Sequence, residues 1–122
     1  MAMTAPIALS AGSLKGTNVR NRAGEDLGHL EEIMIDVNTG NIAYAVLSFG
    51  GILGMGDKLF AVPWASIDVN TEDETILMEV DKELLENAPG FDKSDWPQTP
   101  NDEWYHEVYS YYDVDPYWMP VT

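Results

Sequence analysis

Residues Ser48–Trp64 read SFGGILGMGDKLFAVPW, with four of the chain's ten glycines (Gly50, Gly51, Gly54 and Gly56) inside seven positions, closed by Asp57-Lys58. Glycine loops that end in lysine cradle phosphates when they have the G-x-x-x-x-G-K-[ST] pattern at the start of a helix. Gly51 and Gly56 have that spacing, but Asp57 puts a carboxylate where phosphate oxygens would lie, and Leu59 provides no hydroxyl for magnesium. The dinucleotide pattern G-x-G-x-x-G fails too, because Leu59 occupies the third glycine position. The run KLFAVPW (58–64), directly after the loop, has the composition of a strand rather than a helix. The stretch therefore reads as strand, loop, strand, with Ile52, Leu53 and Met55 near the loop tip as candidate contact residues.

Upstream, Ile42–Phe49 (IAYAVLSF) is apolar on both faces: Ala43, Ala45, Leu47 and Phe49 on one, Ile42, Tyr44 and Val46 on the other. Such a strand is covered on both sides, by a barrel core within and by a helix, a tail or another subunit outside. Asn38-Thr39-Gly40-Asn41 joins it to Leu27–Val37 in the clearest hairpin of the chain. In that earlier strand Ile33, Ile35 and Val37 alternate with Glu32, Met34 and Asp36, while Leu30 falls out of phase, which predicts a bulge near Glu31. Thr17–Asn21 forms a further strand. Downstream, Lys58–Val69 is interrupted by Pro63, which marks an edge, a bulge or a corner. Thr71–Glu74 is a turn, and Thr75–Val80 the last strand.

The periodicity changes after Val80. Asp81 caps a short helix, Lys82–Asn87, that Pro89-Gly90 ends. Phe91 and Trp96 are expected to anchor the irregular segment beyond it. Thr99-Pro100-Asn101-Asp102 predicts a helix start with Thr99 as its cap. In the resulting helix Trp104, Val108 and Tyr111 recur at i, i+4, i+7, as do Tyr105, Tyr109 and Tyr112. Eight of the chain's aromatic residues lie between Trp96 and Trp118. Side chains of that size bury large areas. The segment is therefore expected to pack over the two-faced strand Ile42–Phe49 or to form an oligomer interface, with Trp104, Tyr105, Tyr109 and Tyr112 as candidate interface residues.

Ile33–Asp36, Gly40, Ala43–Gly51 and the run Asp57–Trp64, above all FAVPW, resemble the PRC-barrel family, known from the cytoplasmic domain of the photosynthetic reaction centre H subunit and from a ribosome maturation factor. The likeness extends to GTNVRNRAGEDLG (16–28) and LLENAPGFDKSDWP (84–97), covering roughly residues 13–97. It implies a mainly β chain: a small closed antiparallel barrel of about six strands, with residues 1–80 as its core. Residues 81–122 then form a C-terminal extension with a short helix and an aromatic-rich helix. It also implies a module that binds proteins or organises complexes without catalysis. Two departures stand out: no segment has the ~20 apolar residues of a membrane span, and the aromatic region from residue 99 lies outside the resemblance.

The formal charge of −15 is concentrated in residues 71–122, which hold fourteen acids against Lys82 and Lys93. This field repels nucleic acid and anionic lipid and attracts a basic protein surface or divalent cations. The plainer reading is a solvated acidic face that keeps a small protein soluble. With no cysteine, disulfides, thiolate nucleophiles and Cys-based metal sites are excluded. The N-terminus lacks basic residues before its short apolar stretch, so no cleaved signal is expected and a cytoplasmic location is. His29 lies beside Glu31 and Glu32, and His106 stands at i, i+3 from Glu103, a spacing that can hold a metal on one helix face. A lone histidine with nearby acids is, however, more often a solvated surface group. The serines form no G-x-S-x-G elbow. No catalytic, cofactor or metal residue is assigned. The expectation is a non-enzymatic assembly module, homodimeric, binding a protein partner of basic character, without nucleic acid or membrane insertion. The alternatives are an accessory subunit of a membrane electron- or proton-transfer complex and, more remotely, a metal-dependent hydrolase using His106.

Overall fold

The computed structural model describes residues 5–50, 58–92, 95–97 and 101–119. The glycine-loop tip with Ile52, Leu53 and Met55 lies outside them. Six strands form one sheet: β1 (Asn18–Arg20), β2 (Asp26–Ile35), β3 (Ile42–Phe49), β4 (Lys58–Val62), β5 (Ile67–Asn70) and β6 (Thr75–Met78), in the spatial order β4-β3-β2-β1-β6-β5. Three helices accompany them: α1 (Ala11–Leu14), α2 (Lys82–Glu86) and α3 (Asp102–Tyr111).

The sheet curls because its long strands carry extra residues. Between the pairs Asn18↔His29 and Arg20↔Asp26, Leu27 and Gly28 of β2 face only Val19 of β1. Between Leu30↔Leu47 and Glu32↔Val46 the register shifts by one residue at Glu31, which is the bulge expected from the phase of Leu30. Between Met34↔Tyr44 and Ile35↔Ile42 the extra residue is Ala43, on β3. Each bulge bends its strand and adds right-handed twist, so the β2–β3 ribbon rolls up rather than lying flat. Gly28 takes φ +89°, and a Cβ there would fall on the Ser48 carbonyl oxygen. Only glycine fits that crossing.

The result is an open half-barrel, not the closed antiparallel barrel expected from the sequence. β1 and β6 run parallel, through Val19↔Ile76 and Arg20↔Leu77. Closure is blocked at β4. The Leu59 N–H donates to the Phe91 carbonyl at 2.9 Å, and the Phe91 N–H donates back to Leu59 at 2.8 Å, so the outer edge of β4 is already engaged. The chain then turns at Pro63, which is fully buried, through the 3-10 turn Trp64–Ser66. That corner carries β5 away to pair with β6 at the opposite end of the sheet.

Two cores lie on the two sides of β3. Inside the curl, Val19, Leu27, Leu30, Leu47, Val62, Ile76 and Met78 pack with Leu85 of α2. On the outer face, Tyr44, Val46, Leu59 and Ala61 pack with Val108 and Tyr109 of α3. The two-sided burial read from IAYAVLSF is therefore present, but Ala43 joins the outer cluster with Tyr44, because its bulge turns consecutive side chains to one side. The expected face of β2 also ends early: Ile33 packs on the inner core, whereas Ile35 and Val37 are 54% and 90% exposed. Helix α3 starts two positions after a Thr99 cap would place it. Asn101 is the cap, its Oδ1 accepting the Trp104 N–H at 2.9 Å.

Replacing Gly28 and Gly24 separately by alanine tests the crossing. Gly24 has a similar φ of +86° with open space around it, so Gly24→Ala is expected to cost about 1–2 kcal/mol from backbone conformation alone. Gly28→Ala adds the clash and should cost about 3 kcal/mol or more in urea unfolding. Equal losses would show that the crossing does not constrain the sheet.

Candidate functional site

The aromatic segment is seated on the outer face of β3. Tyr44 receives Trp104 and Tyr105 edge-on, at ring-centre distances of 5.1 and 6.0 Å. Trp118 meets Tyr105, Tyr109 and Tyr117 at 5.5, 5.0 and 4.9 Å. Such contacts contribute about 0.5–1.5 kcal/mol each beyond burial, enough together to hold the irregular stretch after α3 in place. The Tyr109 hydroxyl donates to the Ala43 carbonyl at 2.7 Å. Ala43 is the bulge residue without a partner on β2, so Tyr109 supplies a hydrogen bond at a break in the ladder. Burial, with a smaller contribution from Tyr105, pushes the phenols of Tyr109 and Tyr44 up to about 12. Of the four residues expected at an interface, Tyr109 is buried within the chain, while Trp104, Tyr105 and Tyr112 are half-buried.

Where the segment meets the β2–β3 hairpin it leaves a groove of about 580 Å³. Met34, Ala43 and Tyr44 line it from the sheet, Tyr105, Tyr117 and Trp118 from the aromatic segment. The hairpin forms the remaining wall. Asp36 organises the turn: its Oδ1 accepts the Asn38 N–H at 3.0 Å, and its Oδ2 accepts the Thr39 hydroxyl at 3.0 Å. The same Oδ2 accepts the Tyr117 hydroxyl at 2.6 Å, tying the end of the chain to the hairpin across 81 residues. Tyr117, then Thr39 and the Asn38 N–H, hold the Asp36 carboxyl below its usual value. Burial and the Asp36 charge push the Tyr117 phenol up. Ile35 and Val37 also line the groove and stand exposed, so the apolar surface continues past its rim.

The PRC-barrel domain family model matches residues 6–85. The chain belongs to the PRC-barrel family. None of the curated proteins matches it. The PRC-barrel match takes in the whole sheet and most of α2 but ends before the segment that builds one wall of the groove. That wall is an addition to the PRC barrel, and the groove is where the two meet.

The histidines are placed apart. His29 Nε2 lies 3.6 Å from Glu31 on β2, and His106 stands exposed on α3, 6.2 Å from the Trp118 ring. Among the described residues no three His, Asp or Glu side chains are grouped to hold a metal. Two residues escaped sequence reading. Tyr117 was only one aromatic among many, and nothing local linked it to Asp36. Asn21 is buried at the end of β1, where its Nδ2 donates to Glu25 at 2.8 Å and to the Val80 carbonyl at 3.0 Å. With the Lys82 N–H, it holds the Glu25 carboxyl below its usual value. A polar side chain in a turn carries no sign of a partner 59 positions away.

Tyr109→Phe should lower stability by about 1–2 kcal/mol in denaturant unfolding, by leaving a buried carbonyl short of a donor. Tyr117→Phe should raise the Asp36 pKa toward its ordinary value, read by NMR titration of the side-chain carboxyl. Because the folded-state pKa of Asp36 is depressed, its contribution is complete above about pH 4. It is lost as pH falls through the lowered value. The stability difference between the native chain and Tyr117→Phe should therefore shrink on acidification below about pH 4. An unmoved Asp36 titration would show that the contact is not formed in solution.

Proposed function

We propose that this PRC-barrel protein is a non-catalytic interaction module that holds another protein in a complex. The observation that carries this reading is the groove beside the hairpin, with Ile35 and Val37 exposed at its rim in a member of the PRC-barrel family. Exposed apolar surface next to an apolar concavity is what a protein contact covers. The curled sheet supplies a rigid frame, pinned by backbone pairing from β4 to β5. The open sheet supports a further proposal, self-association. Among the described residues, the outer edge of β5 pairs with no strand, and such an edge is a template for another chain.

Photo-crosslinking from Val37, with the full chain expressed in its own cells, is expected to trap a discrete protein partner. Absence of any specific adduct from Val37, together with no stoichiometric partner in native affinity capture, would overturn the module reading. For self-association, light scattering should give about twice the chain mass of 13.6 kDa. A mass that stays at one chain at high concentration removes that proposal.

A further inference from the structure

We propose that the groove takes a basic segment of the partner protein, with one of its apolar side chains on the groove floor and a lysine or arginine against Asp102 and Asp36. This rests on the interaction-module reading and adds the chemistry of the bound segment. Asp36 from the hairpin and Asp102 from the first turn of α3 are the charged side chains among the groove's described lining residues, and both are acidic. The Asp36 oxygens already take three donors, from Tyr117, Thr39 and Asn38. The Thr39 N–H acts on the same carboxyl, so the roughly four acceptor sites of Asp36 are taken up and it contributes its negative charge rather than an open acceptor. Asp102 stands exposed at the groove edge and is the main partner for a cation. The half-buried rings of Tyr105 and Trp118 provide the kind of surface on which an ammonium or guanidinium group also rests favourably.

Size and long-range charge point the same way. A groove of about 580 Å³ admits a few side chains and not a folded domain. Ile35 and Val37 extend the contact surface beyond it, further than a compact metabolite would reach. A second copy of this chain would bring its own −15 to an acidic rim, and a nucleic acid would bring phosphates. A basic segment is instead drawn in by the field of residues 71–122 and placed by the floor. The Tyr117–Asp36 hydrogen bond joins the aromatic wall of the groove to the hairpin wall.

The test is an NMR titration of the full 15N-labelled chain at physiological salt with a short peptide alternating lysine and leucine. A glutamate–leucine peptide and spermine serve as parallel probes. The lysine–leucine peptide should shift the amides of residues 35–38, 102–105 and 117–118. The glutamate peptide should shift none of them, and spermine, which lacks the apolar side chains, should bind at least about tenfold more weakly. Val37→Ser with Asp102→Asn, both at exposed positions, should weaken the lysine–leucine peptide by about tenfold or more. The melting temperature should fall by only a few degrees, through the acid lost from the first turn of α3. Shifts centred elsewhere, an equal response to spermine, or full affinity in the double variant would each overturn the assignment. A cellular partner still captured by the double variant would overturn the groove assignment while leaving the module reading intact.

Discussion

Gly28 crosses the Ser48 carbonyl at a distance no side chain allows, and the curl of the sheet follows from that approach. With β2 pressed onto β3 at one end and a bulge at Glu31 further along, the ribbon bends around Leu27, Leu30 and Leu47. β1 then lies beside β6 in a parallel pair, and the Asn21 side chain fastens its end to the Val80 carbonyl. Local twist has become global curvature, the usual consequence of bulges in long antiparallel ribbons. The curvature is not enough to join β4 to β5, because Phe91 already pairs with Leu59 on the free edge of β4. A half-barrel is the stable compromise.

The third bulge has a different consequence. By dropping Ala43 out of register, β3 places Ala43 and Tyr44 together on the outer face and takes the Ala43 carbonyl out of register with β2. The Tyr109 hydroxyl meets that carbonyl, and the aromatic segment is thereby fixed over the sheet, with Trp118 at the centre of its ring contacts. The same placement leaves a groove beside the hairpin, lined by Tyr117 where it reaches Asp36. Function, in this reading, resides at the join between a family fold and the segment attached to it. The barrel contributes the floor and the hairpin wall. The added segment contributes the aromatic wall and Asp102.

Much of this was legible in the order of the residues. Period-2 alternation and turn chemistry placed the β2–β3 hairpin, the unbroken apolar run located a strand buried on both faces, and the FAVPW run pointed to the family. The phase of Leu30 even located a bulge, because a single extra residue shifts every later side chain to the other face. The limits were equally physical. Ile35 and Val37 continue an apolar alternation, yet the sheet core ends at Ile33, and periodicity has no measure of where a partner strand stops. The helix cap moved from Thr99 to Asn101 because several polar residues in a row all satisfy the capping preference, and only geometry chooses among them.

The sequence by itself determined the strand order along the chain, the two-sided burial of Ile42–Phe49 and the net acidity of the chain. These depend on side-chain type and spacing, which are local. Only the tertiary structure decided that the barrel stays open, that β1 and β6 run parallel, and that Tyr109 and Tyr117 reach Ala43 and Asp36. Each of those depends on backbone groups far apart in the chain meeting at hydrogen-bond distance. Such meetings follow from accumulated twist and from competition for a strand edge, and no single stretch of sequence records either.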